Sequence, residues 1–503
     1  MGDDRSLALP RTGQRIRVAT TPGRTHLTSL RWRKGHRRGL GIIACVAVPV
    51  LVFSLYSGAA DGTDVVDPFE VIAAVDRASE MKLWPEFDAT AYPIAIYDGE
   101  RTLLLRHPNP PDKFEPLEGH DGVWVFAGKH PAMRWNSNAE IGGVRTATLL
   151  LTIEPGRPVK YEAHILYHEI FHLFSRPLHP TWTPNEMWRY SYPMDDLDNY
   201  RQLLLEEEAL ARAVESESNE LAASWAAAAL AVRADRMARL SQEHQTFEIA
   251  LELQEGTAVY MGRSTIGIES DMELLRDDRG PEGIRWRCYE TGAAFAVILD
   301  RLMPSWKKRL DAKPDITFAE LLTSAVTAAE APAASFSNEE LANVAAAAEA
   351  AIADLAAERA RLYEDFSRRE KKVMIRLASS GEQFYVDDFD PMAVEILEHG
   401  EALQAHMLTA SHPRGEIKFI NPHFVPRSLE GVVALTRPAG DHPFLQGFRQ
   451  ITVAGLSGEP AVERDGDAVR IDAEGLSVSF DRALVESTGD ALIMTVLPAD
   501  AGD

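Results

Sequence analysis

Two histidines four residues apart constrain this chain more than any other feature. His168 and His172 enclose Glu169 in the string HEIFH, inside YEAHILYHEIFHLF, where apolar residues recur at three- and four-residue spacing as in an amphipathic helix. Residues four apart on a helix share a face, so both imidazoles can reach one ion from a single rigid element. Helical geometry turns Glu169 by about 100° from His168. That sets a carboxylate beside the open position of such an ion, where it can act on a bound water. The fold must therefore hold this helix and bring a further ligand to it, because catalytic zinc takes three protein ligands and one exchangeable water.

The remaining text limits where that ligand comes from. Positions 175 and 178 are Ser175 and Leu178, so a Gly turn followed by a third histidine is excluded. His164 shares the face of His168, but three ligands from consecutive turns of one straight helix do not converge on a tetrahedral ion. Further on, a second helical run, ELQEGTAVY, offers Glu252 and Glu255. Between the two runs lie Glu206, Glu207 and Glu208, which read either as a solvated helix face or as a partner for a zinc-bound imidazole.

HEIFH, then Glu-Gly-x-Ala-x-Tyr at Glu255, then Tyr-x-x-Gly in CYETGAAFAVILDRL resemble, in that order, the gluzincin metallopeptidases. The resemblance covers Tyr161 to Leu302. It implies zinc held by His168, His172 and Glu255, with Glu252 one turn earlier as the fallback ligand. It also implies Glu169 as the base and acid that moves the water's proton, and Tyr289 as the donor to the tetrahedral oxyanion. Gly292 matches the glycine of the last motif. The Gly-x-Met-x-Asn string by which the aminopeptidase members capture a free amine is missing, and the nearest text, NAEIGG, does not match it. The run VRTATLLLTI is expected to pair with an extended peptide by strand addition. Two other readings stand beside the peptidase: a non-catalytic cell-envelope binding or scaffold protein that keeps the motif, and a zinc hydrolase of a non-peptide amide.

Charge and hydropathy place the chain. Residues 1–38 hold ten Lys or Arg against Asp3 and Asp4, a net +8, so the overall charge of -24 leaves -32 on the rest. Such acidity argues against nucleic acid as a partner, since phosphate binding is driven by Lys and Arg. Gly39 to Ala60 is an uncharged stretch long enough to cross a bilayer. The positive-inside rule then puts the basic tail in the cytoplasm and everything from Asp61 outside it. An uncleaved single-pass anchor is the reading preferred over a signal peptide cut near Ser57 to Ala60, which would release the protein. Cys45 lies in the apolar stretch and leaves Cys288 without an intrachain partner.

The expected fold class is α+β. A basic tail (1–38) and membrane anchor (39–60) precede a mixed N-terminal lobe (61–155), a mainly helical zincin-like catalytic region (156–380) and a small C-terminal β domain (381–503). Pro158 and Pro177 are expected to bracket the metal helix. Ser337 and Glu340 form a capping-box signature for a helix running to about Leu377, read as packed rather than as a coiled-coil seam. Short alternating runs, among them FRQITVAGLS and LSVSFDRA, mark the β domain.

Overall fold

Alternation of apolar residues builds the first layer. The computed structural model describes residues 65–498 apart from 268–279, 314, 392, 426–428, 441, 443 and 490. The predicted basic tail and membrane segment thus lie outside the described residues. Among the described residues, no helix is long and apolar enough to cross a membrane. After a helix at Pro68–Ser79 come strands β1 (Ile94–Tyr97), β2 (Arg101–Leu105), β3 (Glu115–Pro116), β4 (Val123–Ala127), β5 (Ser137–Ile141) and β6 (Val144–Leu150). They form one sheet in the order β3-β4-β2-β1-β6-β5, in which β1 and β6 run parallel. The period of two divides their side chains between faces. Ile94, Ile96, Leu103, Ala147 and Leu149 pack on the helices, while Ala95, Leu104, Ile141 and Leu150 pack on the other side with Phe114 and Met133.

The run expected to receive a peptide is not an edge. β6 lies between β1 and β5, because the Gly142-Gly143 turn folds β5 back along it. Both glycines have positive φ, 55° and 79°, as a two-residue hairpin turn requires. The free edge on that side is β5.

The helical layer follows. The metal helix spans Val159–Leu178, starting after Pro158 as expected but running one residue past Pro177. Helices Leu197–Glu215 and Asn219–Met237 pack against each other, and Gln242–Leu251 continues through a π-turn, Glu252–Gly256, into Thr257–Ile266. The tyrosine helix is Ile284–Leu302. The long helix Asn338–Ser367 begins with the reciprocal Ser337/Glu340 capping box. It stops at Ser367, ten residues short of the expected Leu377. Arg359, which interrupts its apolar stripe, is buried and pairs with Asp195 at 2.8 Å.

Residues assigned to the end of that helix are a strand instead. Lys372–Leu377 pairs antiparallel with Phe448–Ala454 and parallel with Ala491–Val496. The β region thus begins before residue 381. It is a sandwich of a seven-stranded and a six-stranded sheet, with Val373, Ile375 and Ile451 facing Ile417, Phe419 and Val478 across one core. Tyr190 packs into the β region against Phe389 and Phe444, and His442 Nε2 lies 2.8 Å from the Met187 carbonyl oxygen. The fold is α+β, with a mixed sheet first, helices next and a β sandwich last.

Candidate metal centre

The metal helix presents His168 and His172 inward, and the π-turn brings Glu255 to meet them. His168 Nε2 and His172 Nε2 stand 3.0 Å apart, and each is 3.1 Å from Glu255 Oε2. Ligands about 2.0–2.1 Å from a tetrahedral zinc lie roughly 3.3 Å from one another, so this nearly equilateral triangle has the size that such an ion needs. Hydrogen bonding alone explains it poorly, because two imidazole N–H groups donating to one oxygen would face each other. Protonation favours the same use. Burial holds the His172 imidazole neutral, its pKa pushed down to about 3. Burial opposes ionisation of Glu255, but the imidazoles of His172 and His168 that face its carboxylate outweigh it and keep the group well below its usual range. A neutral imidazole and an ionised carboxylate are the forms in which such groups ligate a metal.

A regular helix sets residues three apart close to one face. The i→i+5 turn at Glu252–Gly256 breaks that rule by adding a residue to the turn. Glu255 therefore faces the histidines while Glu252 faces away. Arg233 Nη1 and Nη2 donate to Glu252 at 2.8 and 2.6 Å, and Thr291 Oγ1 donates to it at 3.1 Å. The choice between the two glutamates left by the sequence falls on Glu255, since Glu252 is fully engaged elsewhere.

Two glycines bring the tyrosine helix to the site. A Cβ on Gly256 would lie 2.5 Å from Gly292 Cα, and one on Gly292 would lie 2.5 Å from the Glu252 carbonyl oxygen. The two helices cross with backbone against backbone. One turn before Gly292, Tyr289 then stacks 6.2 Å from the His168 ring, centre to centre. Its buried hydroxyl makes no hydrogen bond of regular geometry among the described residues but lies close enough to the Glu255 carboxylate to interact with it. Burial, opposed by Arg285 and aided by Glu255, raises its pKa well above the ordinary phenol value, so it stays a donor.

Glu169 completes the group. Asn138 Nδ2, on edge strand β5, donates to the Glu169 carbonyl at 2.9 Å and to Oε2 at 3.3 Å. Oε1 has no partner. Burial pushes the Glu169 carboxyl up to about 7. The whole group is closed to solvent: His168, His172, Glu169, Tyr289 and Glu255 expose 3% or less.

All five residues named from the sequence meet at one point. The triad of His168, His172 and Glu255 is the metal-capable cluster found among the described residues. The carboxylates proposed to orient an imidazole do not. Glu206 accepts from Arg233 and Arg236 at 2.7 to 3.0 Å, Glu207 is held by Arg287, and Glu208 accepts from Arg212 at 2.7 Å. Nothing in the string NAEIGG marks Asn138 as part of the site. Its place beside the metal helix comes from the β5/β6 register, which puts Asn138 opposite Ala147. No protein-family model, curated protein or solved structure matches this chain.

Proposed function

We propose that the chain is a zinc-dependent hydrolase of the gluzincin type, acting on peptide bonds, and that residues 39–60 anchor it with its catalytic region outside the cytoplasm. The observation that carries this reading is the meeting of three ligand atoms with two buried polar groups, the Glu169 carboxyl and the Tyr289 hydroxyl. A bound Zn²⁺ on His168, His172 and Glu255 supplies Lewis acidity toward the scissile carbonyl and lowers the pKa of its water. Glu169 accepts a proton from the attacking water and passes it to the leaving amine, so that the amide C–N bond breaks as the C–O bond forms. Tyr289 donates to the oxyanion of the tetrahedral intermediate. Asn138 fixes the orientation of Glu169. The group is closed to solvent in this structure, so a peptide reaches it only after a rearrangement of its surroundings.

That closure also favours a second reading, in which the metal is structural and the chain binds rather than cuts. The placement of Glu169 and Tyr289 beside the triad weighs against it, since a purely structural centre needs neither a carboxyl nor a phenol there.

Elemental analysis of the full-length protein with Glu255→Ala and Glu252→Ala variants tests the centre. The expected result is about one zinc per chain, lost with Glu255→Ala and kept with Glu252→Ala. Cleavage of a peptide library by the wild type and not by zinc-loaded Glu169→Gln supports the hydrolase. A zinc-loaded wild type that cleaves no peptide leaves the binding protein or a non-peptide amide as the better reading, and a protein that takes up no zinc defeats both zinc readings.

A further inference from the structure

Beside the metal centre is a cavity of about 200 Å³, where the start of the tyrosine helix meets the β region at strand Val394–Ile396. Its lining includes Arg189, Glu282, Arg285, Trp286 and Glu395. One side chain separates it from the triad. The Arg285 guanidinium carbon is 4.9 Å from the centre of the Tyr289 ring, and that ring stacks on His168.

Arg285 is a buried cation with most of its donors unused. Its side chain is 7% exposed, and its Nε donates to Glu186 Oε1 at 3.1 Å. Among the described residues no acceptor meets its two terminal amino groups, which carry four of its five N–H donors. A guanidinium fork of that kind matches a carboxylate, which can take two parallel charge-assisted bonds. The rest of the lining limits what enters. Burial pushes the carboxyl groups of Glu282 and Glu395 toward their neutral forms, Glu395 up to about 7, and Arg189 lines the cavity with them. A singly charged carboxylate needs only the Arg285 fork there. The volume suits one amino-acid residue.

We propose that this cavity is a substrate subsite in which Arg285 receives one carboxylate of a peptide, supplied by its free C-terminus or by an acidic side chain. The inference rests on the hydrolase reading for what happens at the neighbouring centre. The preference for a carboxylate is read from the cavity itself.

The test measures binding rather than turnover. Full-length Glu169→Gln protein, supplied with zinc, is titrated against three fluorescent hexapeptide pools by polarisation: free acids lacking Asp and Glu, the same pool amidated, and an amidated pool containing Glu. Binding at least about tenfold tighter for the first or the third pool than for the second is expected, and shows whether the terminus or a side chain supplies the group. Arg285→Gln in the same background should erase the difference, and Arg285→Lys should keep part of it. Equal binding of the three pools, binding of none, or a difference that survives in folded Arg285→Gln overturns the proposal. Should Arg285→Gln fail to fold, the comparison of pools still decides it. Zinc content read in parallel separates the two claims, since loss of the centre with the carboxylate preference intact defeats the hydrolase reading alone.

Discussion

Replacing Gly292 by alanine should loosen the metal centre from behind. The new Cβ would lie 2.5 Å from the Glu252 carbonyl oxygen, 2.8 Å from Gly256 Cα and 3.0 Å from Glu252 Cα. All three are backbone atoms, so no rotamer change relieves them, and the helices must part by about 1 Å to restore ordinary contact. Overpacking of this kind costs roughly 1–3 kcal/mol, and the absence of a movable neighbour puts it near the top of that range. Alanine's helix propensity returns about 1 kcal/mol, leaving a net loss of about 2 kcal/mol. The same displacement moves Tyr289 away from His168 and opens the 3.0–3.1 Å donor triangle, so zinc affinity should fall at least about tenfold. Urea unfolding and a chelator competition titration measure the two effects. Gly256→Ala meets the same crossing from the other side, and the double variant should lose less than the sum, because one separation accommodates both methyl groups. Gly267→Ala is the control. It lies at φ 71° with open space around it, so it should cost stability without touching zinc. A Gly292→Ala protein as stable and as tight for zinc as the parent refutes the view that the crossing positions the site.

Three further outcomes follow from the site and its surroundings. Tyr289→Phe should keep zinc, yet lose about 10²–10³ in kcat if it donates to the oxyanion; unchanged kcat would remove it from the mechanism. Glu252→Gln should lose about 3 kcal/mol in denaturant unfolding by weakening the bidentate pair with Arg233, while still taking up zinc; lost uptake at intact stability would make it a ligand after all. Glu162 is pushed up to about 7 by burial, against the pull of Arg157, so the folded protein binds its proton more tightly than the unfolded chain does. Its contribution is therefore present below about pH 4.5 and is lost as pH rises toward 7. Loss of the Arg157 pair in Glu162→Gln costs stability at every pH, but the stability of the variant relative to the parent should rise as the pH goes from 4.5 to 8, read from denaturant unfolding at both values; a difference that does not change with pH would contradict the burial argument.

Much of the centre was legible because helical periodicity and ligand spacing report on the same atoms. The face carrying His168 and His172 follows from four-residue spacing alone. Deciding between Glu252 and Glu255 does not, because a π-turn leaves no mark in a pattern read with a helical period. The arginine network was hidden for a related reason. Arg233, Arg236, Glu206, Glu207 and Glu248 are all buried, yet charged residues at helical spacing read as a solvated face. The end of the long helix was missed because RREKKVMIRL holds no glycine or proline to stop it. Pairing of Lys372–Leu377 with two distant strands decides its structure, and no local preference records such partners.

The glycines explain why three short strings carried so much. A match of Glu-Gly and Tyr-x-x-Gly has little weight as text, but each glycine has a mechanical reason in this fold: Gly256 follows the proposed ligand Glu255 and touches Gly292, which follows Tyr289 by three residues. One close crossing thus sets two functional side chains at once, and any residue larger than glycine at either point would disturb both. Asn138 and Arg285 have no comparable link to the motif. The first reaches Glu169 across a strand register, and the second lines a cavity shared with the β region. Residues that modulate or select, unlike those that ligate, enter from elements whose approach only the tertiary structure sets, which is why the predicted chemistry was more specific than anything the chain revealed about its substrate.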